Sequence, residues 1–226
     1  MSSPQFEYQP FPDLDRTLPE RLGQYPRVRD VTWDSLRSVG RVLATSLFQI
    51  QFRLTVDGDL PQLQRVAMVA NHQSHLDSIA VLAALPRWAR SQVAVLAARD
   101  YFFERRTRAL GASLFAQAVA FDRTKYTELR HWSLVLRTQE QGVLLAYPSG
   151  TRRSREVHRA LLLVLAQSNW PIVPLAITGT AEAWPVGARL WRPFRRIGVI
   201  FGQPLPTSSA TDLVAGLDAF WKEHLP

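Results

Sequence analysis

His72 and Asp77 are the two residues of this chain whose types and spacing best suit chemistry. His72 follows an apolar run, residues 66–70, that predicts a buried strand, and Asp77 precedes a run, 78–85, that predicts a helix ending before Pro86. On one helix the two residues would lie about 140° apart, because each residue adds roughly 100°. With His72 in a loop and Asp77 in the first helical turn, the carboxylate can hydrogen-bond one ring nitrogen and raise the basicity of the other. A histidine held in this way can take a proton from a hydroxyl that attacks a carbonyl.

Two other interpretations fit the same residues. In the first, Asp77 only caps the helix and His72 is an ordinary loop residue. In the second, His72, His75 and Asp77 bind a metal ion. We expect no metal site, because no second cluster of histidines or carboxylates stands out as a further ligand set.

The composition limits the class of protein. With 226 residues, 46% of them hydrophobic, the chain fits one core domain and an N-terminal extension. The chain has no cysteine, which excludes disulfides and thiol chemistry and fits a reducing compartment. Residues 1–30 are proline-rich and polar, which predicts an extended arm and no signal peptide, and no apolar run is long enough to predict a membrane span. The net charge of +8 favours an anionic partner: nucleic acid, anionic lipid or an acidic carrier protein.

A helix is predicted from Trp33 to about Leu54, because apolar residues recur there with the three-four spacing of a helix face. That face contains Leu36, Leu43, Leu47, Ile50 and Leu54, is widened by Val39, Val42, Phe48 and Phe52, and is interrupted by Arg37, Arg41 and Arg53. The helix either packs on the domain or lies in a membrane interface, and a wide apolar face would allow both. A later segment, residues 184–196, mixes tryptophan and arginine, which suits a lipid headgroup layer or a loop packed on the core.

Strands and helices alternate after the turn signal Asp57-Gly58. The strands are predicted at 66–70, 93–97, 118–121, 143–146, 172–177 and 197–201, and the helices at 78–85, 101–110, 126–140, 156–167 and 211–224. This order predicts an α/β fold with a mixed, mostly parallel central sheet flanked by helices. We therefore divide the chain into an N-terminal arm with an amphipathic helix, residues 1–55, and an α/β domain, residues 56–226.

Groups that suit an anion follow three of the predicted strands. Arg99 follows strand 93–97, Arg123 follows strand 118–121, and Ser149, Gly150, Thr151 and Arg152 follow strand 143–146. Because the carboxyl ends of parallel strands share one edge of a sheet, these groups are expected to converge with His72. A glycine lets backbone N–H groups approach a phosphate, threonine adds a hydroxyl donor, and arginine offers a forked cation.

Taken in order, these segments resemble the glycerolipid acyltransferase family, in particular the bacterial 1-acylglycerol-3-phosphate acyltransferases. The family's Asn-His followed by four residues and Asp matches Asn71, His72 and Asp77, and its acidic-Arg pair after an apolar strand matches residues 121–123. Its Phe-Pro-Glu-Gly-Thr-Arg block matches residues 147–152, and its Val-Pro strand matches residues 172–177. Ser149 stands where the family has glutamate, and the stretch after this third block is short, so the acceptor substrate can differ from the family's.

The resemblance implies a glycerolphosphate acyltransferase-like fold and transfer of a fatty acyl group from acyl carrier protein or acyl-CoA to a lysophospholipid. His72 would be the base and Asp77 would orient it. The substrate-binding residues would be Asn71, Arg99, Arg123, Ser149, Gly150, Thr151 and Arg152. No cofactor or nucleic acid is expected. The protein would bind peripherally to anionic lipid on the cytoplasmic side of a membrane. The alternatives are another lysolipid or glycerol 3-phosphate as acceptor, and a catalytically silent lipid-binding member of the fold.

Overall fold

Buried apolar strands form the centre of the fold. The structure, a computed structural model, describes residues 31–98, 118–121, 126–148, 159–185, 187–206 and 209–225. Within these ranges, seven strands make one sheet in the order β1-β7-β6-β2-β5-β3-β4. They are β1 (Arg53–Asp57), β2 (Arg65–Ala70), β3 (Val93–Ala98), β4 (Ala118–Phe121), β5 (Gly142–Ala146), β6 (Ile172–Thr178) and β7 (Arg196–Phe201).

The sheet is mixed and mostly parallel, as the sequence predicts. Strands β6, β2, β5, β3 and β4 are parallel neighbours, whereas β7 pairs antiparallel with β6, and β1 pairs parallel with β7. Strand β2 therefore lies near the middle, with β5 on one side and β6 on the other. Its carboxyl end, next to His72, lies at the edge where a parallel α/β sheet binds ligands.

The edge strand β1 is missing from the sequence prediction, which assigns its first residues to the preceding helix. Its residues are largely exposed and alternate in polarity, Arg53-Leu54-Thr55-Val56-Asp57, so no continuous apolar run marks it. The predicted division between residues 55 and 56 falls inside this strand, which pairs with β7 from Arg53 to Asp57.

Two layers of helices cover the sheet. The first layer contains α1 (Val31–Gln51), α2 (Asp77–Ala84) and α3 (Arg87–Gln92), and the second contains α4 (Tyr126–Thr138), α5 (Arg159–Ala166) and α7 (Ala210–His224); α6 (Thr180–Ala183) follows β6. Alternate residues of β2 enter the two cores: Val66, Met68 and Ala70 pack under the first layer, and Ala67 and Val69 under the second. The short helices α3 and α6 are not predicted from the sequence, and the helix predicted at 101–110 lies outside the described residues.

Helix α1 faces the domain with an unexpected side. It ends at Gln51, so Leu54 belongs to β1 and not to the helix. The prediction of a single wide apolar face is wrong, because the residues assigned to that face divide between a buried and an exposed side of the helix. The buried residues are Arg37, Arg41, Thr45 and Phe48, together with Phe52 directly after the helix, while Leu36, Val39, Leu43, Leu47 and Ile50 are exposed. At about 100° per residue these two sets lie on nearly opposite sides of the helix.

Buried arginines explain how α1 can turn its leucines outward. The Arg41 guanidinium donates hydrogen bonds to the backbone oxygens of Arg90 and Val93, at the end of α3 and the start of β3. Phe48 and Phe52 then join the first-layer core. None of the helices in the described ranges combines the length and the apolarity needed to cross a bilayer.

Candidate active site

His72 lies just beyond β2, between the ends of the two neighbouring strands. On the β6 side, the Asn71 amide donates to the backbone oxygen of Ile177 at 2.8 Å and accepts from its N–H at 2.7 Å. On the β5 side, the ring of Tyr147 stacks on the imidazole of His72, with centroids 4.4 Å apart and planes inclined by 29°. Register explains this contact, because Val69 of β2 pairs with Ala146 of β5, immediately before Tyr147.

The His72–Asp77 contact has the geometry that the sequence predicts. The Nδ1 atom of His72 lies 2.8 Å from Oδ2 of Asp77, whose side chain is fully buried. The same oxygen accepts hydrogen bonds from the backbone N–H groups of Gln73, at 2.6 Å, and Ser74, at 2.8 Å. A carboxylate among these donors can only accept, so Nδ1 carries the proton and Nε2 keeps a free lone pair. Asp77 thus orients the histidine and holds the loop before the helix by its bonds to Gln73 and Ser74. It does not cap the helix, as the alternative interpretation expected, because α2 follows Leu76 without a side-chain cap.

Ser74 explains why the chain folds locally in this way. The pattern Ser74-x-x-Asp77 has the spacing of a capping box, and its acid half forms, because the Asp77 carboxylate reaches back to the N–H of Ser74. The Ser74 hydroxyl accepts from the N–H of Leu76 at 3.3 Å and donates to the backbone oxygen of Trp184 at 3.0 Å. Sequence reasoning overlooked Ser74, although the capping-box pattern is a signal that could have identified it.

Tyr147 is the second residue of this site to which the sequence assigned no role. Its hydroxyl lies 2.9 Å from the hydroxyl of Ser78, the residue that follows Asp77 in α2. Burial raises the pKa of Tyr147 well above its ordinary value; the negative charge of Asp77 raises it further, and the hydrogen bond with Ser78 lowers it. The phenol therefore stays protonated at any physiological pH.

Six of the predicted substrate-binding residues lie outside the described residues, namely Arg99, Arg123, Ser149, Gly150, Thr151 and Arg152. The strands before them, β3, β4 and β5, are parallel neighbours in the sheet. In the described part of the chain, no group of three His, Cys, Asp or Glu residues could hold a metal ion. His75 is exposed and lies beside Trp184, with ring centroids 5.4 Å apart.

Trp184 connects the loop after His72 with the end of α1. Its ring meets the edge of Trp191 at 5.7 Å, and Trp191 donates to the Gln51 side chain at 3.2 Å. The N–H of Phe194 donates to the backbone oxygen of Gln51 at 2.7 Å. Leu190, Trp191 and Phe194 are exposed, whereas Trp184 is half-buried. The loop from Trp184 to Arg196 thus packs by its first tryptophan and exposes its later apolar side chains.

Comparisons with known proteins identify the family and the fold. A family model described as Acyltransferase matches residues 52–178, more than half of the chain, and this segment contains His72, Asp77 and Tyr147. The crystal structure of the 1-acyl-sn-glycerophosphate (LPA) acyltransferase PlsC from Thermotoga maritima has a similar fold. Its TM-score is 0.61 at 19% identity, over 87% of this chain and 82% of that chain. A search of curated proteins gave no match. On the extent of the family match, the chain belongs to the acyltransferase family.

Proposed function

We propose that this acyltransferase moves a fatty acyl group from an acyl thioester, acyl carrier protein or acyl-CoA, to the free hydroxyl of a lysophospholipid. The expected acceptor is 1-acylglycerol 3-phosphate, which gives phosphatidic acid. The observation that carries the proposal is the buried Asp77 carboxylate on Nδ1 of His72, because it leaves Nε2 as a base at the sheet edge where ligands bind.

The reaction follows from that base. Nε2 of His72 takes the proton of the acceptor hydroxyl as its oxygen attacks the thioester carbonyl carbon. The C–O bond forms, the C–S bond breaks, and the departing thiolate receives the proton back from the imidazolium. Asp77 stabilises the imidazolium between these steps. No covalent enzyme intermediate is required, which suits a chain without cysteine.

The proposed acceptor site combines residues from several strand ends. Arg99, Arg123, Thr151 and Arg152 would bind the acceptor phosphate, with backbone N–H groups of Ser149 and Gly150 beside them. These roles rest on the resemblance to the family, as these residues lie outside the described ranges. For Asn71 we propose a positioning role, because both polar atoms of its amide are engaged by Ile177.

Turnover by His72→Ala tests the proposal. The acyl donor is labelled acyl carrier protein or acyl-CoA, and the acceptors are a panel of lysolipids and glycerol 3-phosphate. The products are then identified. We expect kcat to fall about 10²–10⁴-fold, the contribution of a general base, while circular dichroism stays native. His131→Ala is the control, since His131 is exposed on α4 in the other layer. Full turnover in His72→Ala would exclude His72 as the base, and no product from any acceptor would favour a silent member of the fold.

Membrane binding is the second part of the proposal. The apolar surface, defined as Leu36, Val39, Leu43, Leu47 and Ile50 of α1 with Leu190, Trp191 and Phe194 of the loop, is exposed. Ile50 and Phe194 line one groove, so the two parts are contiguous. Exposed arginines flank Trp191 and Phe194, namely Arg189, Arg192, Arg195 and Arg196. Apolar and basic side chains on one face fit a peripheral protein on the anionic, cytoplasmic side of a bilayer.

Vesicle sedimentation tests this face. Two charges in the middle of it, in the double variant Leu43→Glu and Leu47→Glu, should weaken binding to vesicles by tenfold or more, because each charge must leave water. Leu134→Glu is the control for an exposed leucine, at 62% exposure on α4 in the opposite layer. Equal binding by the wild type, the double variant and Leu134→Glu would exclude α1 from the membrane contact.

A further inference from the structure

We propose that Tyr147 is a positioning residue that fixes the imidazole of His72 by stacking on it. This inference rests on the proposed function, in which His72 is the base. The two rings lie face to face with centroids 4.4 Å apart, and Tyr147 is 8% exposed. The contact comes from two different strands, since Tyr147 follows β5 and His72 follows β2.

A stack is needed because the hydrogen bond to Asp77 still allows the imidazole ring to tilt. A hydrogen bond at Nδ1 fixes one atom, but the imidazole can still tilt about it and move Nε2. Tyr147 covers a face of the ring and blocks that tilt, so the side chain of His72 is only 14% exposed. With Nδ1 occupied and this face covered, the Nε2 edge is left for the acceptor hydroxyl. The π face of the phenol also favours the imidazolium that forms when the proton arrives.

Tyr147 is itself held by the helix that carries Asp77. Its hydroxyl lies 2.9 Å from the Ser78 hydroxyl, one residue after Asp77. The end of β5, the imidazole and the first turn of α2 are thereby tied together. Burial raises the pKa of Tyr147, so the hydroxyl keeps its proton at neutral pH and can take part in this bond.

Four variants separate the ring from the hydroxyl. Tyr147→Phe keeps the stack and removes the bond to Ser78, and Ser78→Ala removes the same bond from its other end. Tyr147→Leu and Tyr147→Met remove the aromatic face, and methionine, being flexible, refills more of the cavity. We expect kcat to stay within about threefold in Tyr147→Phe and Ser78→Ala, because the stack is intact. In the two non-aromatic variants kcat should fall tenfold or more with KM for both substrates within twofold, since only proton transfer is affected.

Proton NMR of histidine-labelled protein gives a readout that does not need turnover. The hydrogen-bonded Nδ1–H of His72 should give a slowly exchanging downfield signal, assigned by its loss in His72→Ala. The signal should persist in Tyr147→Phe and broaden or disappear in Tyr147→Leu and Tyr147→Met. An unchanged signal and unchanged kcat in either folded non-aromatic variant would overturn the inference. If His72→Ala kept its turnover, the role of His72 as the base would fail, yet the NMR signal would still report whether Tyr147 holds the ring.

Discussion

The residue that most constrains the site is Asp77, because one of its oxygens serves three donors. Oδ2 accepts from His72, Gln73 and Ser74, while Oδ1 is buried and has no hydrogen-bond partner among the described residues. In Asp77→Asn the amide nitrogen must face either those three donors or that buried position, so neither orientation is satisfied.

We therefore expect Asp77→Asn to lower both stability and turnover. The free energy of unfolding in urea should fall by about 1–3 kcal/mol, the cost of an unsatisfied buried group. The kcat should fall about as far as in His72→Ala, because the histidine loses the carboxylate that fixes its tautomer and stabilises the imidazolium. Asp218→Asn, the same change at an exposed position of α7, should stay within about 0.5 kcal/mol. Wild-type turnover in Asp77→Asn would contradict the role of the carboxylate.

Tyr147 should also make the stability of the protein depend on pH in the alkaline range. Its pKa is raised in the folded protein, first by burial and then by Asp77, whereas in the unfolded chain a tyrosine ionises near pH 10. Above about pH 10 the unfolded state loses a proton that the folded state keeps. The contribution to stability is therefore complete below that pH and is lost as pH rises, at about 1.4 kcal/mol per unit.

Urea unfolding of Tyr147→Phe at several values between pH 8 and pH 11 measures this effect. The variant should lose less stability than the wild type over the upper part of the range, because phenylalanine has no proton to release. The comparison is of slopes, so the lost Ser78 bond, which shifts all values alike, does not enter. Parallel slopes in the two proteins would show that Tyr147 ionises as easily in the folded state.

At the scale of elements, the buried Arg41 of α1 and the half-buried Arg90 of α3 determine which side of α1 meets the domain. Arg41, 3% exposed, donates to the oxygens of Arg90 and Val93, and Arg90 donates to the oxygens of Ala83 at 3.2 Å and Leu85 at 2.8 Å. Burial lowers the pKa of Arg90, and the charge of Arg87 lowers it further. These guanidinium groups satisfy carbonyl oxygens at the ends of α2 and α3, where the helices themselves offer no partner.

Arg41→Met should therefore destabilise the fold despite its apolar side chain. The buried carbonyl group of Val93 and the partly buried one of Arg90 lose their donor, which we expect to lower the free energy of unfolding by about 2–4 kcal/mol. Arg87→Met, at an exposed position of the neighbouring helix, should change it by about 0.5 kcal/mol or less. Thermal unfolding of both variants measures the difference, and equal melting temperatures would remove Arg41 as the anchor of α1.

The same elements show what the sequence could and could not predict. Periodicity reveals that α1 has an apolar stripe, but not which way the stripe faces, because the partners of Arg41 lie 49 and 52 residues away. The His72–Asp77 contact was predictable because it is local, five residues apart. The stack of Tyr147 on His72 was not, since it depends on the neighbouring positions of β2 and β5 in the sheet.

At the scale of the molecule, the proposed base and the apolar surface are joined by Trp184. The loop after His72 bonds to Trp184 through Ser74, and Trp184 packs on Trp191 within the apolar surface. A bilayer on this surface would lie beside the carboxyl edge of β2, where the proposed lysophospholipid acceptor would present its hydroxyl. The proposed membrane contact would thus lie next to the proposed base.

The position of the basic residues should decide how strongly the protein binds anionic vesicles. The chain carries a net charge of +8, but only part of it lies beside the apolar surface. A basic residue near an anionic bilayer contributes about 1 kcal/mol, which is roughly fivefold in binding. The triple variant Arg189→Gln, Arg192→Gln and Arg195→Gln should therefore bind vesicles with 30% anionic lipid about a hundredfold more weakly at low salt. Arg130→Gln, Arg137→Gln and Arg159→Gln remove as much charge from exposed positions of the opposite layer and should weaken binding much less.

Added salt should reduce wild-type binding towards that of the loop variant, because screening acts on the same charges. If the two triple variants lost affinity equally, the overall charge and not this face would hold the protein at the membrane.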